Sequence, residues 1–317
     1  SPGRGFEAPM EYLNTLLIQT GFHVLLGLSV YTVALTGQIS FGQQGFYAIG
    51  AYIAAIATTL WGVPLLPALL LGTVVSACFG FLVGFPALRV RGLYLAIATF
   101  AFGEIVRLGV LNLYYTRQVG GAEVGPVGPE GFRHISYFTD HGWTTGNVLL
   151  LVAVVVCVVL AFYAVIERSR LGATIRAVGA DELAASMVGI RVVWVKVGAF
   201  AIGGGIAGLG GGLYAHYTTF LSHQAFGLPV AVIAVAYALV GGLGSFAGPV
   251  AGVVFFLVLT EGLRFLGEYR MLIYGAVVVL AMNVRPHGLV DETVVHRIKN
   301  LVSSGPGAPK ERVDARP

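Results

Sequence analysis

Residues 147–166 run without a single charged side chain. At about 1.5 Å of rise per residue, a helix of that length crosses the ~30 Å hydrocarbon core of a bilayer. A helix also satisfies its own backbone where lipid offers no hydrogen-bond partner. Comparable apolar runs occupy residues 12–36, 45–60, 67–85, 94–113, 195–217, 229–240, 250–266 and 271–284. The expected fold is therefore all-α, a polytopic transmembrane helical bundle of about eight to ten spans. The runs 45–60 and 229–240 are short enough to be half-spans beside re-entrant or broken backbone. Composition agrees: 56% of residues are hydrophobic and 11% are charged, whereas a soluble domain carries about a quarter charged residues to coat its surface.

Lysine and arginine set the orientation, because cytoplasmic loops accumulate them. Arg89 and Arg91 lie between the third and fourth runs. Arg168, Arg170, Arg176, Arg191 and Lys196 lie between the fifth and sixth, and Arg285, Arg297, Lys299, Lys310, Arg312 and Arg316 lie in the tail; together these are most of the 19 basic residues. An alternating path puts all three regions on the cytoplasmic side. It divides the chain into a polar N-terminal segment 1–11, a membrane domain 12–284 and a cytoplasmic tail 285–317. Within the membrane domain, 114–146 is an external connection and 167–196 a cytoplasmic loop. The density of Gly and Pro in 114–146 predicts an irregular cap. Parity places residues 1–11 outside, and nothing in them resembles a cleaved secretory leader. Trp61, Trp143 and Trp194 fall at span ends, as interfacial aromatics do.

The loop 167–196 is helical in pattern. Leu171, Ile175 and Val178 are spaced by four and three, Leu183, Met187 and Ile190 repeat the pattern, and Gly172, Gly179 and Gly189 punctuate it. Pattern alone fits either an amphipathic helix resting on headgroups or one that docks on a protein partner. Two further places interrupt apolar runs with a shared Ser-Phe and nearby glycines. They are Gly37-Gln38-Ile39-Ser40-Phe41-Gly42-Gln43-Gln44 and Gly241-Gly242-Leu243-Gly244-Ser245-Phe246-Ala247-Gly248-Pro249. Broken helices expose backbone groups that can meet a polar solute, although glycine also serves tight turns and close helix packing.

The stretch from Arg168-Ser169-Arg170-Leu171-Gly172 through Arg176-Ala177, Asp181-Glu182, Ala184-Ala185 and Gly189-Ile190 resembles the cytoplasmic segment of bacterial ABC importer permeases, in particular the Liv-type branched-chain amino-acid branch. The run 37–52, ending Gly-Phe-Tyr-Ala-Ile-Gly-Ala-Tyr, the run 94–107, the element 241–249, Ile273-Tyr274-Gly275 and Arg285-Pro286-His287-Gly288-Leu289 are similar to the same family. Val119-Gly120-Gly121 followed by Val127-Gly128-Pro129 departs from that family's usual external motif, which leaves the solute open. The resemblance implies a permease subunit in a bacterial or archaeal cytoplasmic (inner) membrane. Its implied partners are a homologous permease subunit, ATP-binding subunits that hold ATP and Mg, and an external solute-binding protein, with no cofactor and no metal in this chain and no nucleic acid. It assigns docking on the ATPase to Gly172, Arg176, Ala177, Asp181, Glu182, Ala185 and Gly189. It strengthens the reading of the two breaks as a translocation path, for which Gln38, Ser40, Gln43, Gln44, Gly242, Gly244 and Ser245 are the candidates, with Glu104 as a charged candidate within a span. Branched-chain amino acids are the implied cargo, with urea or short amides as the alternative.

Glu104 and Arg107 stand three apart in an apolar run, where each charge alone would cost about 2.5–3.5 kcal/mol on insertion scales. They fit an interior ion pair or a polar path lining. Glu261 and Arg264 repeat the spacing near a span end, within snorkelling reach of the interface. His23 and His216 are expected to be satisfied between helices. Cys78 and Cys157, in separate runs, are expected to stay unpaired. The glycine strip 203–212 follows no strand and precedes no suitably spaced acid, so it reads as a helix-crossing or subunit contact and not as a dinucleotide loop. The chain has no G-x-x-x-x-G-K-[ST] phosphate loop, and no nucleophile–base or metal constellation stands within its runs. A transporter is therefore expected and an enzyme is not; a stand-alone secondary transporter or channel would leave the 168–190 segment without a role.

Overall fold

A computed structural model gives the architecture. It describes residues 4–262 apart from 88, 91, 120 and 121, together with isolated positions between 273 and 289. The expected run 271–284, the tail 285–317 and Arg264 fall largely or wholly outside the described residues.

Most of the described residues are helical. Its elements are α1 (Arg4–Ala34), α2 (Gln43–Thr59), α3 (Leu65–Ala87), α4 (Leu93–Leu111), β1 (Arg117–Val119), β2 (Ala122–Pro126), β3 (Phe132–Arg133), α5 (Tyr137–Asp140), α6 (Thr145–Arg168), α7 (Arg170–Ala180), α8 (Glu182–Met187), α9 (Val192–Thr218), α10 (Leu228–Gly241) and α11 (Ala247–Gly262). Among the described residues six helical stretches are long and apolar enough to span a membrane, and α11 is a shorter apolar helix. Residues 4–11, expected as a separate polar segment, are the first turns of α1.

The helix α2 has 17 residues, about 25 Å at 1.5 Å each, which is short of a full bilayer core. It has no lipid face: Gln43 through Tyr52 and Ala54 through Thr58 are all buried. Helix α9 packs against α1, α2 and α3, so the centre of the molecule is the pair α2 and α9. The glycine strip makes that pairing possible. A Cβ on Gly211 would lie 1.9 Å from the Tyr47 carbonyl oxygen of α2, and one on Gly208 would lie 2.3 Å from Ser76 Oγ of α3, so the strip lets α9 approach both neighbours. In lipid, where helices gain nothing by hiding apolar surface, such backbone approach supplies the dispersion contacts that hold them. Outward faces follow the opposite rule, with Leu150, Val154, Val158 and Val165 of α6 exposed, as are Cys78 and Cys157, both free thiols.

The connection 114–146 is more ordered than its Gly and Pro content predicts. Strands β1, β2 and β3 form an antiparallel sheet in that order, with Arg117 opposite Val124 and Pro126 opposite Phe132. Buried Phe132 and Ile135 anchor this sheet. Phe132 N–H donates to the Leu221 carbonyl (2.8 Å), Leu221 N–H returns the bond (2.9 Å), and Arg117 donates to the Leu60 carbonyl (3.2 Å). This small sheet thus ties together the end of α2, the end of α9 and the connection to α10. At the same end, Tyr12 of α1 donates to Glu261 of α11 (2.6 Å), so the start of α1 lies on the side of the cap.

Inside the bundle, His216 donates from Nδ1 to the Gly212 carbonyl (2.7 Å) and meets Thr58 Oγ1 at Nε2 (2.9 Å), the helix-to-helix satisfaction its position predicts. The His23 ring lies 5.6 Å from that of Tyr237.

Candidate functional site: an amphipathic helical segment and two helix breaks

The loop 167–196 folds as α7 and α8, two short helices joined at Asp181. Each is capped by its own sequence. Ser169 Oγ accepts from Gly172 N–H (3.3 Å), and Asp181 Oδ1 accepts from Leu183 N–H (2.8 Å) and Ala184 N–H (3.0 Å), which satisfies donors that open every helix. The residues assigned to docking divide by exposure. Arg176, Ala177, Asp181 and Gly189 face outward, with Leu171, Leu183, Met187 and Val188 beside them, and Glu182 is half-buried.

Gly172 and Ala185 are buried, so neither offers a side chain to a partner. Gly172 supports the segment from below, since a Cβ there would meet the Ile166 carbonyl oxygen at 2.2 Å. Gly189 has φ +86, a left-handed conformation that releases the chain from α8 into α9. Lys196, nearly fully buried, pairs with Glu182 and pins α8 to the start of α9.

Both helix breaks lie beside this segment. Gly37 has φ +75, and a Cβ on it would lie 3.0 Å from the Gly179 carbonyl oxygen of α7. Gln38 lines a cleft of ≈ 460 Å³ with Ile39, Leu93 and Ala96, which reaches Glu182. Ser40 is fully buried and its Oγ accepts from Gly42 N–H (3.2 Å), while Thr99 of α4 accepts from Phe41 N–H (3.1 Å). Gln43 and Gln44 open α2 and are also fully buried; neither amide has a hydrogen-bond partner among the described residues. Gln44 lies against Gly103 of α4, close enough that a Cβ on Gly103 would meet its Nε2 at 2.6 Å.

The second break serves other neighbours. Gly242 has φ +105, Gly244 is exposed and Ser245 is buried with its Oγ accepting from Ala247 N–H (3.4 Å). Glu104 does not join either break. It accepts from Arg107 Nε (2.7 Å), and the half-buried pair lines a shallow cleft with Phe100, Gln224 and Gly227 near the outer end of α10.

Sequence reasoning missed Glu167 and Thr99. Glu167, next to last in α6, reads as one more charge at the edge of a charged loop, and Thr99 is one hydroxyl in an apolar helix; neither carries a local pattern that reveals its partner on a distant element.

A buried two-helix core, six helical stretches among the described residues long and apolar enough to cross a membrane, and an amphipathic helical segment between two of them mark a polytopic membrane protein of the permease class. The chain belongs to the family described as the branched-chain amino acid transport system / permease component, whose model matches residues 12–282. It is 34% identical over 301 residues to the high-affinity branched-chain amino acid transport system permease protein LivM of Salmonella typhimurium, covering 86% of this chain and 69% of that protein. The corresponding LivM of Escherichia coli is 32% identical over 314 residues, 90% of this chain and 72% of that protein. The ribose import permease protein RbsC of Bacillus subtilis is 26% identical over 286 residues, 87% and 85% of the two chains. No solved structure matches. The protein is a multi-pass protein of the cytoplasmic membrane.

Proposed function

We propose that this chain is one permease subunit of an ABC importer for branched-chain amino acids. ATP and Mg are bound by separate ATP-binding subunits that dock on α7 and α8; a homologous permease completes the membrane pair, and an external binding protein delivers solute to the capped face. One observation carries the reading: on α7, α8 and the turn after them, Leu171, Leu183, Met187 and Val188 are 68–81% exposed on a segment whose opposite side is anchored. Apolar side chains presented beside Arg176 and Asp181 match the make-up of protein interfaces, an apolar centre with an orienting charged rim. The named cargo of the LivM relatives supports the choice of solute.

The solute path is proposed to run past the start of α2. A buried amide without partners destabilises by about 1–3 kcal/mol, and Gln43 and Gln44 hold four amide atoms without a partner among the described residues. Polar groups kept at that cost inside a membrane protein mark a route for polar solute.

Co-expression with the products of neighbouring genes tests the reading. The ATPase subunit is expected to co-purify with the wild-type chain and to be lost from Leu183→Asp and Met187→Asp, with membrane insertion intact. Undiminished ATPase capture by both variants overturns the docking assignment. Uptake of radiolabelled urea in place of leucine by the reconstituted complex overturns the proposed cargo.

A further inference from the structure

We propose that Glu167 is the positioning residue that transmits movement of the docking segment to the break between α10 and α11. This deepens the reading of α7 and α8 as the docking segment and rests on it. Glu167 is the penultimate residue of α6, directly above the turn into α7. Its Oε1 accepts from Tyr31 OH of α1 (2.9 Å) and from the backbone N–H of Phe246 (2.7 Å), and Ser245 Oγ lies 3.5 Å from its Oε2. Its backbone carbonyl accepts from the Arg176 guanidinium of α7 (3.1 Å). One residue therefore holds a docking helix through its main chain while its carboxylate holds two membrane helices.

The chemistry favours transmission over simple packing. Phe246 immediately precedes α11, so the carboxylate lies at the N-terminus of a helix built in another part of the chain. Hydrogen bonds to an ionised carboxylate are about twice as strong as neutral ones, and a helix N-terminus attracts negative charge. The break whose peptide it holds opens at Gly242, whose φ of +105 is open to glycine and strained for other residues. A displaced α7 pulls the α6 terminus through Arg176 and Gly172. The bond from Glu167 to Phe246 then moves the start of α11 about the Gly242 hinge.

The test uses the complete transporter, reconstituted in proteoliposomes with its ATPase subunits, partner permease and binding protein. Two quantities are read: ATPase capture, and radiolabelled leucine transported per ATP hydrolysed. Glu167→Gln and Tyr31→Phe are expected to capture the ATPase normally and to hydrolyse ATP, with leucine per ATP falling about tenfold in Glu167→Gln, within the range of ordinary inter-site couplings. Glu167→Asp is expected to recover most of that loss. An unchanged ratio in both Glu167→Gln and Tyr31→Phe overturns the proposal, as does a loss of leucine transport that merely follows loss of ATPase capture. A wild-type chain that captures no ATPase removes the docking reading itself, a result distinct from either.

Discussion

Gly211 of α9 lies so close to Tyr47 of α2 that a Cβ added to it would stand 1.9 Å from the Tyr47 carbonyl oxygen. The same two helices meet again where a Cβ on Gly50 would stand 2.1 Å from the Gly208 carbonyl oxygen. Neither obstacle is the end of a flexible side chain; both are backbone, so neither can turn aside. Gly211→Ala is expected to destabilise by at least the ~1–3 kcal/mol typical of overpacking. Thermal unfolding in detergent measures it. Gly198→Ala in the same helix, with nothing within 4 Å, is the control that stays near wild type.

Gly172 and Leu183 act on docking by different routes. Gly172→Ala forces α7 away from the Ile166 carbonyl, whereas Leu183→Asp leaves the helices in place and changes only their outer face. Both are expected to weaken ATPase capture. Limited proteolysis within 168–181 is expected to accelerate in Gly172→Ala alone; equal protection in both variants would contradict the supporting role assigned to Gly172.

Gln43 and Gln44 set stability against function. Replacing each by methionine, similar in length and unbranched, removes a buried group without a partner among the described residues. Gln43→Met and Gln44→Met are expected to unfold at the wild-type temperature or above it, because up to about 1–3 kcal/mol of desolvation per group is relieved. Leucine uptake is expected to fall in both. A variant that is less stable and transports normally refutes the path assignment.

Lys196 reaches Glu182 from the first turns of α9. Lys196→Met is expected to loosen α8 by about 1 kcal/mol, a value kept small because Glu182 is partly solvated. Amide hydrogen exchange across 182–187 reports it, with faster exchange there and no change in α3.

Much of this was legible in one dimension. Charge-free runs such as 147–166 identify spans because lipid penalises unpaired backbone, and that rule acts on each segment by itself. The spacing of Leu171, Ile175 and Val178 identifies α7 for the same reason, since helical period is a local property. Glycine at 203–212 announces close approach, which the structure realises as the α2–α9 crossing.

What the tertiary structure alone decided is which groups meet. Gly172 and Arg176 lie four apart on one face of α7, and both meet the end of α6, Gly172 packing on the Ile166 carbonyl and Arg176 donating to the Glu167 carbonyl, a seat that no local pattern reveals. The external cap became a sheet because Phe132 finds Leu221 almost ninety residues away. Glu167 finds Tyr31 and Phe246 only after α1, α6 and α11 have packed. Local pattern specifies helices and their apolar faces, since those energies depend on near neighbours in the chain. Partners for buried polar groups depend on the packing of distant segments, and only the folded bundle specifies them.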